Sequence, residues 1–157
     1  MLLILLLLLI GFTCGLRALA PLAVVSCAAH SGWIHLAGTP LSFLSSIITV
    51  IILVILALAE IVNDKLPKTP SRTAPMGLIA RIITGAISGG ALGLAGQRSM
   101  YFGMILGVIG AVIGTFAGYF TRTRTVKALG VPDIVVALVE DVVTVGLSFF
   151  VVYQFRI

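Results

Sequence analysis

Charge is scarce in this chain. Asp, Glu, Lys and Arg make up 10% of its 157 residues, against about 25% in ordinary globular chains. With 60% of the residues hydrophobic, that excludes a soluble domain of ordinary composition. Acidic side chains number five against ten Lys and Arg. The resulting net charge of +5 could suggest nucleic acid, but the basic residues sit in short loops between apolar runs. Topology signals and contact with anionic lipid account for them better. The motifs of catalysis are missing as well. There is no HExxH, no nucleophile elbow and no Cys-His pair with a positioning carboxylate, so an enzyme is not expected. Cys14 and Cys27 show neither metal spacing nor a secreted disulfide pattern, and neither a metal nor another cofactor is expected.

What is present is a series of apolar runs. A helix spanning the hydrocarbon needs about 20 apolar residues, which sets a ceiling of about five or six spans here. The fold class expected is all-α, a polytopic transmembrane helix bundle of about five spans forming a single domain over 1–157. The first run, Met1 to Ala28, has no Lys or Arg before it and no small-x-small cleavage site before Arg17, so a retained span is expected rather than a signal peptide. Pro21 lacks a backbone donor and disfavours an unbroken helix, so this span is expected to be kinked or broken. An uncharged connection, His30 to Pro40, carries Trp33 as an interfacial anchor. His30 and His35 within it make a poor metal site. The next span covers Leu41 to Asn63, followed by a basic, Pro-rich linker, KLPKTPSRTAP.

Met76 to Gln97 and Met100 to Phe120 are expected to form an antiparallel hairpin. One carries Gly85, Gly89 and Gly93; the other carries Gly103 and Gly107, then Gly110, Gly114 and Gly118. Small residues four apart let backbones approach closely, so a central glycine zipper is expected. A nucleotide-binding glycine loop is rejected, because no P-loop Lys accompanies these apolar helical glycines. Thr121 to Gly130 reads as a second basic loop, and Val131 to Tyr153 as the last span. With one span in the first run, Lys65, Lys68, Arg72, Arg122, Arg124 and Lys127 share one side, and the positive-inside rule places them and the N-terminus in the cytoplasm. Were the first run two half-helices folded back, the N-terminus would lie outside.

The sharpest feature is Glu140-Asp141, set near the middle of the last apolar run. A carboxylate at that depth costs a few kcal/mol or more unless protonated, paired or wet. The best cation is Arg17, also within an apolar run. Depth arithmetic at about 1.5 Å per residue pairs Arg17 with Glu140 or Asp141, beside the kink at Pro21. It groups Glu60, Asp64, Lys65 and Arg81 as a second, cytoplasmic-side cluster, with Arg81 paired to Glu60. Adjacent helix residues point about 100° apart, so one of the two carboxylates can face Arg17 while the other faces a cavity or a neighbouring subunit.

Three stretches, GLRALAPLAV (15–24), AEIVNDKLPKTPSRTAP (59–75) and GVPDIVVALVEDVVTVG (130–146), together resemble a family of small bacterial membrane proteins, the domain of unknown function 4126. The resemblance rests on Arg17 and Pro21, on Glu60, Asp64, Lys65 and Pro67, and on Glu140 and Asp141. It implies an integral inner-membrane protein and supplies no activity. The function expected from the charges is a small transporter or channel, proton- or cation-coupled, in a homo-oligomer surrounded by membrane lipid and without nucleic acid. The alternative is a structural or assembly protein whose buried charges only fix helix packing.

Overall fold

Leucine fills the first fifteen-residue helix, α1 (Leu2–Leu16), and the chain then breaks. The computed structural model describes residues 1–64, 74–130 and 132–156. After α1 come α2 (Leu19–His30), a short 3-10 turn at Ser42–Ser45, α3 (Ile47–Asn63), α4 (Pro75–Ala95), α5 (Met100–Leu129) and α6 (Asp133–Tyr153). No strand occurs among the described residues. Three of these helices, α4, α5 and α6, are long and apolar enough to cross a membrane, and α1, α2 and α3 are shorter apolar helices. The chain is a membrane protein built as an all-helical bundle.

Of the two forms expected for the first run, kinked or broken, the chain takes the broken one. Arg17 adopts an extended conformation, φ −136° and ψ 127°, and α2 turns back along α1. The far end of α2, Ala28 and Ala29, packs into one apolar cluster with Leu6 and Leu7 of α1 and with Val151 and Val152 of α6. The break lies ahead of Pro21 rather than at it. As the third residue of α2, Pro21 sits in the first turn, where backbone N–H groups have no intrahelical acceptor and a missing one costs nothing. The donors that do remain at this helix start are met from outside: Ala18 N and Leu19 N each donate to the Glu60 carboxylate, both at 2.8 Å.

Close backbone contacts set the directions of the helices. A Cβ on Gly89 would fall on the Gly103 carbonyl, and one on Gly85 would meet Gly107 O at 2.8 Å, so α4 runs antiparallel to α5. Gly93 follows, its Cβ position 3.0 Å from Gly103 Cα. Gly110 and Gly114 do not share that face. A Cβ there would strike Leu8 O and Phe12 O, so they seat α1, which runs parallel to α5 and returns the favour with Gly11 and Gly15. The three-residue step from Gly107 to Gly110 turns the stripe by about 60°, and α5 thereby presents a glycine face to each neighbour. Gly118 lies farther along, at the wall of a cavity described below.

Two further expectations change. The segment 121–129 is not a loop; α5 continues through it and ends at Gly130, whose φ of 61° is the left-handed cap that glycine supplies without strain. The N-terminus lies at the end of the bundle opposite Arg122, because α1 starts beside Gly96, where Leu3 packs, and ends at Arg17. It does not share a side with the basic residues of α5. Lys65, Lys68 and Arg72 lie outside the described residues with the rest of 65–73, and Pro75, the last residue of the Pro-rich linker, opens α4.

Candidate functional site

The break after α1 delivers Arg17 into the bundle at the end where α3 finishes and α6 begins. Its side chain is 1% exposed. Nε donates to Asp141 Oδ1 at 2.6 Å and Nη1 pairs with Asp64 Oδ2 at 2.9 Å. Asp64 Oδ2 is shared, since Arg122 Nη1 of α5 reaches it at 2.7 Å. Arg122 in turn grips Asp133 with a fork, Nε to Oδ1 at 2.7 Å and Nη2 to Oδ2 at 2.5 Å. Charge-assisted and bidentate bonds of this kind are the strong class. Together with Glu60 at the start of α2, these contacts collect all five acidic side chains of the chain at one end of the bundle.

Glu140 and Asp141 part company here. Asp141 is buried at 8% exposure and points at Arg17. Glu140 Oε2 lies 3.9 Å from Arg122 Nη1. It lines a cavity of about 320 Å³ between α1, α5 and α6. The walls of that cavity include Phe12, Leu16, Val136 and Val143, and its polar groups are Glu140, Arg122, Thr121 and Thr125. Apolar walls with a few convergent polar groups are the common form of a small-ligand site.

The pairing expected between Glu60 and Arg81 is not found. Glu60 is committed to the start of α2, and Asp64 is drawn to Arg17 and Arg122 rather than held in a separate cluster. The reason is the reversal of the chain at Arg17: it brings that residue to the level of the α3 C-terminus, whereas a single span would have kept it apart. Arg81 is buried on α4, with the Thr84 hydroxyl donating to its carbonyl at 3.2 Å. Lys65 lies outside the described residues.

Sequence reasoning passed over a set of buried hydroxyls. On α6, Asp141 is followed by Thr144 and Ser148; on α4, Arg81 is followed by Thr84 and Ser88; all four hydroxyl residues are buried. Both sets keep the spacing i, i+3, i+7, which is one helical face, and that period was the available signal. Ser148 Oγ lies 3.0 Å from Thr13 Oγ1 and 2.7 Å from the Thr144 carbonyl oxygen, with one proton for the two acceptors. Cys14 Sγ donates to Ser88 Oγ at 3.6 Å. Among the described residues, Thr144 Oγ1 and Arg17 Nη2 have no hydrogen-bond partner. Beyond Ser148 the lane stops at an apolar layer of Leu7, Ile10, Leu92, Val151 and Val152.

The model of the family described as domain of unknown function DUF4126 matches residues 4–154. The chain belongs to the DUF4126 family. Every residue that carries the site, from Thr13 to Ser148, lies within the matched segment of this DUF4126 chain. No curated protein and no solved structure matches it.

Proposed function

We propose that this DUF4126 protein is a small transporter or channel that passes protons or small cations across a bacterial cytoplasmic membrane. Glu140 acts as the carrier, and Arg17, Asp141 and Asp64 form a fixed ion-paired group beside it. The observation that carries this reading is the divergence of two adjacent carboxylates: Asp141 is bonded to Arg17 at 2.6 Å, while Glu140 lines a cavity with Thr121 and Thr125. Paired titratable groups placed in different surroundings can take different roles. Ionisable residues inside membrane helices mark ion and proton pathways more often than not. The hydroxyl lane of Thr144, Ser148 and Thr13 extends the polar region inward from Asp141, and the apolar layer above it would serve as the gate. In this reading the end bearing Arg122, Arg124 and Lys127 faces the cytoplasm, by the positive-inside rule. Both termini then lie outside. The reading includes a homo-oligomer, since short helices enclose little space on their own.

One arrangement favours a second reading. The Asp64 carboxylate is shared by Arg17 and Arg122, so α3 and α5 are tied to the α1–α2 break, as a packing lock would require. Proton flux into liposomes, driven by an imposed potential and followed with a pH dye, separates the two. Transport predicts faster flux than protein-free vesicles, reduced to that baseline by Glu140→Gln with the thermal transition unchanged. Wild-type protein that passes neither protons, Na⁺ nor K⁺ above baseline would establish the lock and overturn transport.

A further inference from the structure

A groove on the flank of the bundle, running from beside the Glu60 contact towards the opposite end, is a feature that the charged site does not use. Where α2 meets α3, the contact is made by Ala20, Ala23 and Ala57. Leu19 and Leu53 pack against these alanines, and beside the contact a cavity of about 420 Å³ remains between α2, α3 and α6. That lies within the roughly 300–1,000 Å³ of small-molecule sites. The cavity opens sideways: of its wall residues, Leu58 of α3 and Phe149 of α6 are each more than half exposed, on surfaces that face hydrocarbon in a membrane. It runs along α2 from Ala20 to Ser31, about 16 Å at 1.5 Å per residue. That is close to half of the roughly 30 Å hydrocarbon thickness, the depth of one leaflet.

The outer end of this groove is built differently from its length. Trp33 stands there, edge-on to Phe149 at 5.4 Å and to Tyr153 at 6.1 Å. The Arg156 guanidinium lies over the Trp33 ring, 5.3 Å from its centroid. Aromatic rings of this kind settle at the headgroup level of a bilayer. Arg156 is exposed, and stacking fixes its position while leaving its N–H donors to the surroundings. The five acidic side chains sit at the other end of the bundle.

We propose that the groove is a binding site for an anionic phospholipid, with one acyl chain laid along Ala20, Ala23 and Ala57 and the phosphate held by Arg156. The site is independent of the transport reading. Depth, sideways opening and apolar lining select a lipid chain rather than a soluble ligand. The guanidinium held on Trp33 at the mouth selects the headgroup.

Trp33 is the sole tryptophan of the chain, which makes it a built-in reporter. The full-length protein is reconstituted with phospholipids brominated along the acyl chains, either phosphatidylglycerol or phosphatidylcholine, and quenching of its fluorescence is titrated. The anionic lipid is expected to quench at about fivefold lower mole fraction, the factor one membrane-surface arginine supplies. Arg156→Gln, a change at an exposed position, should bring the two lipids to the same curve. Ala57→Leu, which fills the groove, should weaken quenching by both. Equal quenching by both lipids in the wild type, a preference that survives Arg156→Gln, or full quenching of a folded Ala57→Leu protein would each overturn the site. If Ala57→Leu fails to fold, the Arg156→Gln comparison decides alone.

Discussion

Removing Arg17 tests the central arrangement most directly. In Arg17→Met, Asp141 loses its 2.6 Å bond and Asp64 loses one of two arginines. Asp64 still has Arg122 at 2.7 Å, so the main loss falls on Asp141. Breaking a buried pair from one side costs about 3–5 kcal/mol. Asp141→Asn should cost less, about 1.5–3 kcal/mol, the value of one hydrogen bond to a charged group. Its amide oxygen can still accept from Nε, and Arg17 keeps Asp64. The double variant Arg17→Met/Asp141→Asn removes both charges, so it should recover about 1–3 kcal/mol relative to the sum of the singles. Arg17→Met with Glu140→Gln serves as the control, expected to be additive within about 0.5 kcal/mol. The assay is reversible unfolding in mixed micelles, followed by far-UV circular dichroism, with yield from the membrane fraction as an independent check. Additivity of the Arg17–Asp141 cycle would refute the contact. Strong coupling to Glu140 instead would exchange the roles of the two carboxylates and remove the basis of the transport reading.

Three other outcomes follow from the packing. Glu60→Ala strips the start of α2 of its acceptor and should destabilise the protein by about 1–2 kcal/mol, as loss of a helix cap does; Glu60→Gln should lie between it and wild type, and an unchanged Glu60→Ala melting curve would remove the capping role. Gly89→Leu forces a side chain onto the Gly103 carbonyl and should cost about 1–3 kcal/mol or abolish folding, whereas Gly146→Ala, with open space at its Cβ, should be tolerated. Equal behaviour of these two in thermal unfolding would contradict the close α4–α5 approach. In a background lacking Cys14 and Cys27, cysteines at Ser99 and Gln154 should label together with an impermeant thiol reagent in intact cells, and a cysteine at Lys127 should not; labelling of Lys127→Cys with the other two would refute the helix directions.

Composition and period alone determined that this is an all-helical membrane protein. A chain that is 60% hydrophobic can satisfy its backbone in lipid only with helices or a closed barrel, and its apolar runs are too long and unalternating for barrel strands. The expense of carboxylates in such runs singled out Arg17, Glu140 and Asp141 without any structure. The glycine spacing marked close backbone contact, but not that Gly110 and Gly114 serve α1, Gly103 serves α4 and Gly107 meets both; neighbour identity is a three-dimensional property. Only the tertiary structure decided the reversal at Arg17. The sequence contains Pro21, yet the turn depends on Glu60, 42 residues from Ala18, accepting the backbone donors that the break exposes. From that one long-range contact follow the pairing of Arg17 with Asp64, the loss of the Glu60–Arg81 pair and the side on which the N-terminus lies. Periodicity reports which residues share a helix face, but it does not report which distant carboxylate will satisfy a broken helix end.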